Sequence, residues 1–138
     1  MGGFIGYPIS SIYHATKFAL EGWSESLSFE LSKFNIGVKT VAPGVILTDF
    51  ITRSLNMNSH PEYKDIEDRL FGGFSDESTK MASTAEEIAE IVYEAATDGK
   101  NQIRYIAGKD ANALRKRQLE IGREEFRKEI SQQFGLLK

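Results

Sequence analysis

Cysteine is absent from this chain of 138 residues. That excludes disulfides and thiolate metal sites, and it fits a cytoplasmic protein. Histidine occurs only at His14 and His60, without paired spacing, so no metal centre is expected. No apolar run approaches the ~20 residues that cross a bilayer, so no membrane partner is expected. The opening Met1–Pro8 has no basic stretch ahead of a long apolar one, which argues against a signal peptide. Gly2 suits an N-myristoylation start, but Gly6 stands where that pattern wants Ser or Thr. A net charge of −3 offers no broad basic footprint, so nucleic acid is not an expected partner. Internal repeats and low-complexity segments are lacking too. What is present suffices for one domain, and a hydrophobic share of 41% permits a core without making it generous.

Against this background one pentapeptide carries chemistry: Tyr13-His14-Ala15-Thr16-Lys17. Tyr13 and Lys17 stand at i and i+4, which on a helix puts both side chains on one face. A free phenol titrates near pH ~10, too high for proton transfer at neutral pH. A neighbouring ammonium favours the phenolate and lowers that value. A tyrosine so tuned gives or takes a proton on a substrate oxygen. Taken alone the pair is a common amphipathic edge, and its context decides. Ser10 and Ser11 lie close to His14, but no Gly-x-Ser-x-Gly elbow surrounds them, so a serine hydrolase is the weaker reading.

Glycines and Pro8 make residues 1–9 a loop. Ser10 or Ser11 can cap a helix running from about Ser11 to Phe34. Ile12, Ala15, Ala19, Trp23, Leu27, Leu31 and Phe34 recur near a 3.6 period and mark its buried face, with Tyr13, Lys17, Glu21 and Ser24 elsewhere. Asn35 or Gly37 suits the turn that ends it. Val38, Thr40 and Val41 favour a strand over Gly37–Ala42, which Pro43 stops. Ser54–His60 reads as loop, and Pro61 opens a helix to about Phe71. Phe50, Leu55, Leu70, Phe71 and Phe74 line a pocket or form a satellite core. Thr84-Ala85-Glu86-Glu87 is a capping box. Ile88, Ile91, Val92, Ala95 and Ala96 follow at helical spacing, and Gly99 ends that helix. Ile103–Ala107 is a second short strand, closed by Gly108. Ala111–Phe134 is one long helix or two shorter ones, with Gly122 the weak point. Arg115-Lys116-Arg117 reads as a solvated helix face.

Pro43, Gly44 and Thr48 add a second motif, Pro-Gly-x-x-x-Thr, one helix and one strand after Tyr-x-x-x-Lys. Together, from Gly2 to about Gly108, these features resemble the C-terminal half of a short-chain dehydrogenase/reductase. The implied fold class is α/β: the C-terminal portion of a Rossmann-like doubly wound parallel sheet, with few strands and long flanking helices. Helix, short link and strand in succession fit that grammar. Residues 1–138 would then be a single incomplete domain.

The resemblance implies an oxidoreductase that interconverts an alcohol and a carbonyl with NAD or NADP. Tyr13 would be the acid/base. Lys17 would tune it and bond the nicotinamide ribose. Pro43, Gly44, Val45 and Ile46 would bring backbone to the nicotinamide ring, and Thr48 would bond the carboxamide or a phosphate oxygen. Gly44 suits a close approach because it lacks Cβ. The partners implied are a small-molecule alcohol or carbonyl and a second copy of the chain, docked through the Tyr13–Phe34 helix. Trp23 then has two readings of equal weight, interface or core. The family's substrate-holding Ser falls at Met1 or just before it. Gly2-Gly3-x-x-Gly6 is not the pyrophosphate turn, since no strand precedes it. The expectation is therefore the second half of an enzyme, beginning at an internal methionine and inactive alone. A non-catalytic remnant or dimerising module is the alternative.

Overall fold

The structure, a computed structural model, describes residues 1–49, 53, 59–72 and 80–136, apart from the Phe71 side chain. In chain order the helices are α1 (Ser11–Ser32), α2 (Lys64–Gly72, led in by a 3-10 turn Pro61–Tyr63), α3 (Ala85–Thr97), α4 (Lys109–Ile121) and α5 (Arg123–Gln133). Two strands, β1 (Thr40–Pro43) and β2 (Arg104–Ala107), pair in parallel with Thr40 opposite Arg104 and Pro43 opposite Ala107. The fold is thus mixed α/β, a part of a Rossmann-like sheet. Among the described residues no helix is long and apolar enough to cross a membrane.

β1 begins later than its β-branched residues suggest and takes in Pro43 instead of stopping before it. The ladder explains this. The amides of Thr40 and Gly44 donate to Ile103 and Ala107 of the β2 side, at 2.7 and 2.9 Å. By alternation, Pro43 faces the other edge, where its missing N–H costs no ladder bond. Its carbonyl there accepts from the Met1 amino group at 2.7 Å. Among the described residues no strand pairs with that edge.

Successive strand residues point to opposite faces. Thr40 and Arg104 share one face and meet α1. Thr40 donates to Glu21 at 3.3 Å, and Arg104 reaches Glu21 at 3.2 Å and Glu25 at 2.6 Å. Tyr105 points the other way, and its hydroxyl donates to Asp98, the C-cap of α3, at 2.7 Å. The two strands therefore lie between α1 and α3.

The main apolar cluster joins residues of the opening loop to α2, α4 and α5. Ile5, Phe126, Ile130 and Phe134 are buried, with Phe4, Tyr7, Ile66, Leu70 and Leu114 packed round them. Leu70 thus belongs to this core. Phe50, Leu55, Phe74 and most of Ser54–His60 lie outside the described residues.

The buried face expected of α1 is overturned. Ile12 is 79% exposed, Trp23 61% and Phe34 66%, and Ala15 and Ala19 are exposed as well. His14 and Ser24 are the buried residues of this helix, with Glu21 turned to the sheet. Periodicity groups residues on a face but does not say which face meets the core. Here the inward face is polar, and its His14 and Glu21 find partners in the opening loop and on the sheet. Ser10 occupies the N-cap of α1 but makes no capping bond. Asn35 takes the positive φ at the exit.

The capping box of α3 is present in both directions, Thr84 with Glu87. Its buried face is narrower than its pattern, because Val92 is exposed while Ile88 and Ala95 are buried. Gly122, at φ 82°, divides the last helical stretch in two. The basic run of α4 is not a purely solvated face. Arg115 lies 5.0 Å from the Phe4 ring centroid, and Arg117 pairs with Glu129 of α5.

Candidate active site

Tyr13 and Lys17 occupy the N-terminal third of α1. The Lys17 ammonium lies 5.5 Å from the centroid of the Tyr13 ring, a cation–π distance produced by the i, i+4 spacing. Tyr13 is 46% exposed. Among the described residues neither its hydroxyl nor the Lys17 ammonium is taken up by a hydrogen bond or ion pair.

Residues 1–3 run directly against this face. A Cβ on Gly2 would come within 2.9 Å of the Tyr13 ring, and one on Gly3 within 2.9 Å of the Lys17 carbonyl oxygen. Glycine there permits an approach that other residues would block. His14 pins the same segment. The Tyr7 amide donates to its Nε2 at 3.0 Å, and its Nδ1 lies 2.8 Å from the Gly2 carbonyl oxygen. Since Nε2 accepts, Nδ1 carries the proton and donates. This buried histidine is structural, a role the sequence reading missed.

The second motif begins where β1 ends. Pro43 accepts from the Met1 amino group, so residues 1–3 join the two motifs physically. Burial lowers the pKa of that amino group, while Glu21 and Asp110 oppose the shift and Lys17 adds to it. Beyond Pro43, the Ser83 amide donates to the Val45 carbonyl and the Leu47 amide to the Ser83 carbonyl, both at 2.9 Å. Ile46 forms an isolated parallel bridge with Ser83. Thr48 is exposed at the end of this segment, and its amide donates to the Ile46 carbonyl at 2.9 Å. Tyr13 and Lys17 thus stand on one flank of residues 1–3, and the Pro43–Thr48 segment leaves from the other.

This order of motifs on a parallel αβ arrangement has a counterpart among known proteins. A sequence profile described as short chain dehydrogenase matches residues 1–59. Over that stretch the chain is similar to the short-chain dehydrogenase family. An uncharacterized oxidoreductase of Schizosaccharomyces pombe is 32% identical over 108 residues, 78% of this chain and 45% of that protein. Oxidoreductase BOA17 of Botryotinia fuckeliana is 31% identical over 116 residues, 80% of this chain and 41% of its own length. Human retinol dehydrogenase 8 is 36% identical over 74 residues, 54% of this chain and 24% of that enzyme. The chain spans less than half the length of each of these relatives.

One further residue enters this segment unannounced. Asp110, in the first turn of α4, accepts from the Val45 amide at 2.7 Å. An acidic residue just after Gly108 marks a helix start in the sequence. Nothing in the sequence connects it to Gly44 and Val45, 65 positions away from the latter.

Proposed function

We propose that these residues form the catalytic half of an NAD(P)-dependent oxidoreductase that interconverts an alcohol and a carbonyl. The observation that carries this is the shared face of Tyr13 and Lys17, both polar ends unengaged among the described residues, joined through residues 1–3 to the Pro43–Thr48 segment. The side chains present fit the nicotinamide end of a dinucleotide. In this reading Lys17 bonds the ribose, the backbone of Pro43, Gly44, Val45 and Ile46 lies against the ring, and Thr48 lies beside the carboxamide or a phosphate oxygen. When bound, the nicotinamide cofactor carries the hydride. Tyr13 gives the proton to the substrate oxygen in reduction and takes it in oxidation.

None of these residues supplies a glycine-rich turn for the pyrophosphate, and none selects NAD over NADP. By itself the chain therefore turns over no alcohol or carbonyl. It binds the reduced cofactor more weakly than about 100 µM, and tighter binding by calorimetry overturns this. In a protein that joins these residues to a glycine-rich βαβ unit, Tyr13→Phe lowers turnover by about 100-fold or more while cofactor binding survives. Full turnover in that variant refutes the acid/base role.

A second reading, a non-catalytic dimerising module, draws on the uncovered apolar face of α1. The same face suits a homo-oligomer in either reading, docked through the Tyr13–Phe34 helix. The Tyr13→Phe result separates the two.

A further inference from the structure

The Asp110 carboxylate is fitted against the backbone of the second motif. Its Oδ2 accepts from the Val45 amide at 2.7 Å. A Cβ on Gly44 would stand only 2.0–2.3 Å from the carboxylate atoms, far inside any real contact. Oδ1 is buried and has no hydrogen-bond partner among the described residues. Buried carboxylate oxygens are rarely left this way, so the group is held by its surroundings at some cost. Among the described residues, no other side chain bonds the backbone of residues 43–46.

We infer that Asp110 is the positioning residue of the cofactor-facing segment, and that Gly44 lacks a side chain to admit its carboxylate. This deepens the reading above and rests on it, since it takes the Pro43–Thr48 segment to face the nicotinamide ring. The carboxylate reaches across from the start of α4, turns the Val45 amide inward and so fixes which backbone groups residues 44–46 leave to the cofactor. The glycine is required by a neighbour within the protein as well as by any ligand outside it.

A plainer role for Asp110 is its charge at the positive end of α4. The two roles separate chemically. Positioning needs an acceptor oxygen at that point, which asparagine retains, whereas the helix-start effect needs the charge, which asparagine and alanine both lack.

Two measurements on the 138-residue chain test the inference: amide hydrogen exchange at Val45, and saturation transfer from the chain to the nicotinamide protons of NADH or NADPH at millimolar concentration. Asp110→Ala speeds Val45 exchange by about tenfold, the scale of one hydrogen bond to a charged group, and abolishes the transfer. Asp110→Asn keeps exchange within about threefold of the parent and retains the transfer. Gly44→Ala speeds Val45 exchange in the parent but adds little to Asp110→Ala, because the colliding carboxylate is gone. If Asp110→Ala unfolds the chain, Asp110→Ser replaces it, keeping a helix-starting oxygen too short to reach Val45. Equal Val45 protection in all variants overturns the inference, and so does equal loss in Asn and Ala. Transfer that persists unchanged in Asp110→Ala overturns it too. No transfer from the parent chain, with Val45 exchange following Asp110 as stated, instead refutes the cofactor reading and leaves Asp110 a brace of the loop.

Discussion

His14 ties the opening loop to α1 with two hydrogen bonds, to the Gly2 carbonyl and from the Tyr7 amide. Replacing it with alanine leaves both backbone groups short of a partner, at a cost of about 1–3 kcal/mol. The expected result for His14→Ala is a lower urea midpoint with an unchanged slope, and an unmoved midpoint contradicts the role. Tyr105 offers a test by pH. Burial, and next the hydrogen bond to Asp98, push its phenol up to about 12. A raised folded value means the fold favours the neutral phenol. That contribution is complete below pH about 10, the unfolded value, and is lost as the pH rises to about 12. Thermal melts across this window should show a falling midpoint in the parent and a shallower fall in Tyr105→Phe. Parallel curves for the two proteins contradict the assignment.

At the scale of elements, local signals were legible where they concern the chain's own backbone. The capping box predicted from Thr84 to Glu87 starts α3 in the structure. Thr84→Ala removes the side chain that accepts from the Glu87 amide and should cost about 1 kcal/mol, read as a thermal midpoint lower by a few degrees. Gly122 divides α4 from α5 because its φ of 82° suits glycine and strains other residues. β1 was displaced from its propensity because the ladder to β2 sets its length, and that partner lies more than 60 residues away in sequence.

At the scale of the molecule, the outward face of α1 is uncovered among the described residues, and Thr16, Ala19, Leu20 and Trp23 line a shallow apolar groove on it. Apolar surface gathered on one helix face favours association. Sedimentation velocity should show the chain self-associating, and Trp23→Glu should shift it toward monomer with its helix content unchanged. A monomeric parent at high micromolar concentration contradicts the oligomer.

The order of elements, the capping box of α3, the break at Gly122 and the pairing of Tyr13 with Lys17 on one face follow from residues at most a few positions apart, so the sequence alone determined them. The inward face of α1 did not. Its stripe of Ile12, Trp23 and Phe34 has the period of a buried face, yet His14, Glu21 and Ser24 are turned inward. That choice belongs to Gly2, Tyr7, Thr40 and Arg104, which bond His14 and Glu21 from other parts of the chain. The closeness of Asp110 to Gly44 was likewise decided only by the tertiary structure. A hydrogen bond between residues so far apart exists only once the parallel pairing of β1 and β2 has brought the two strand ends together.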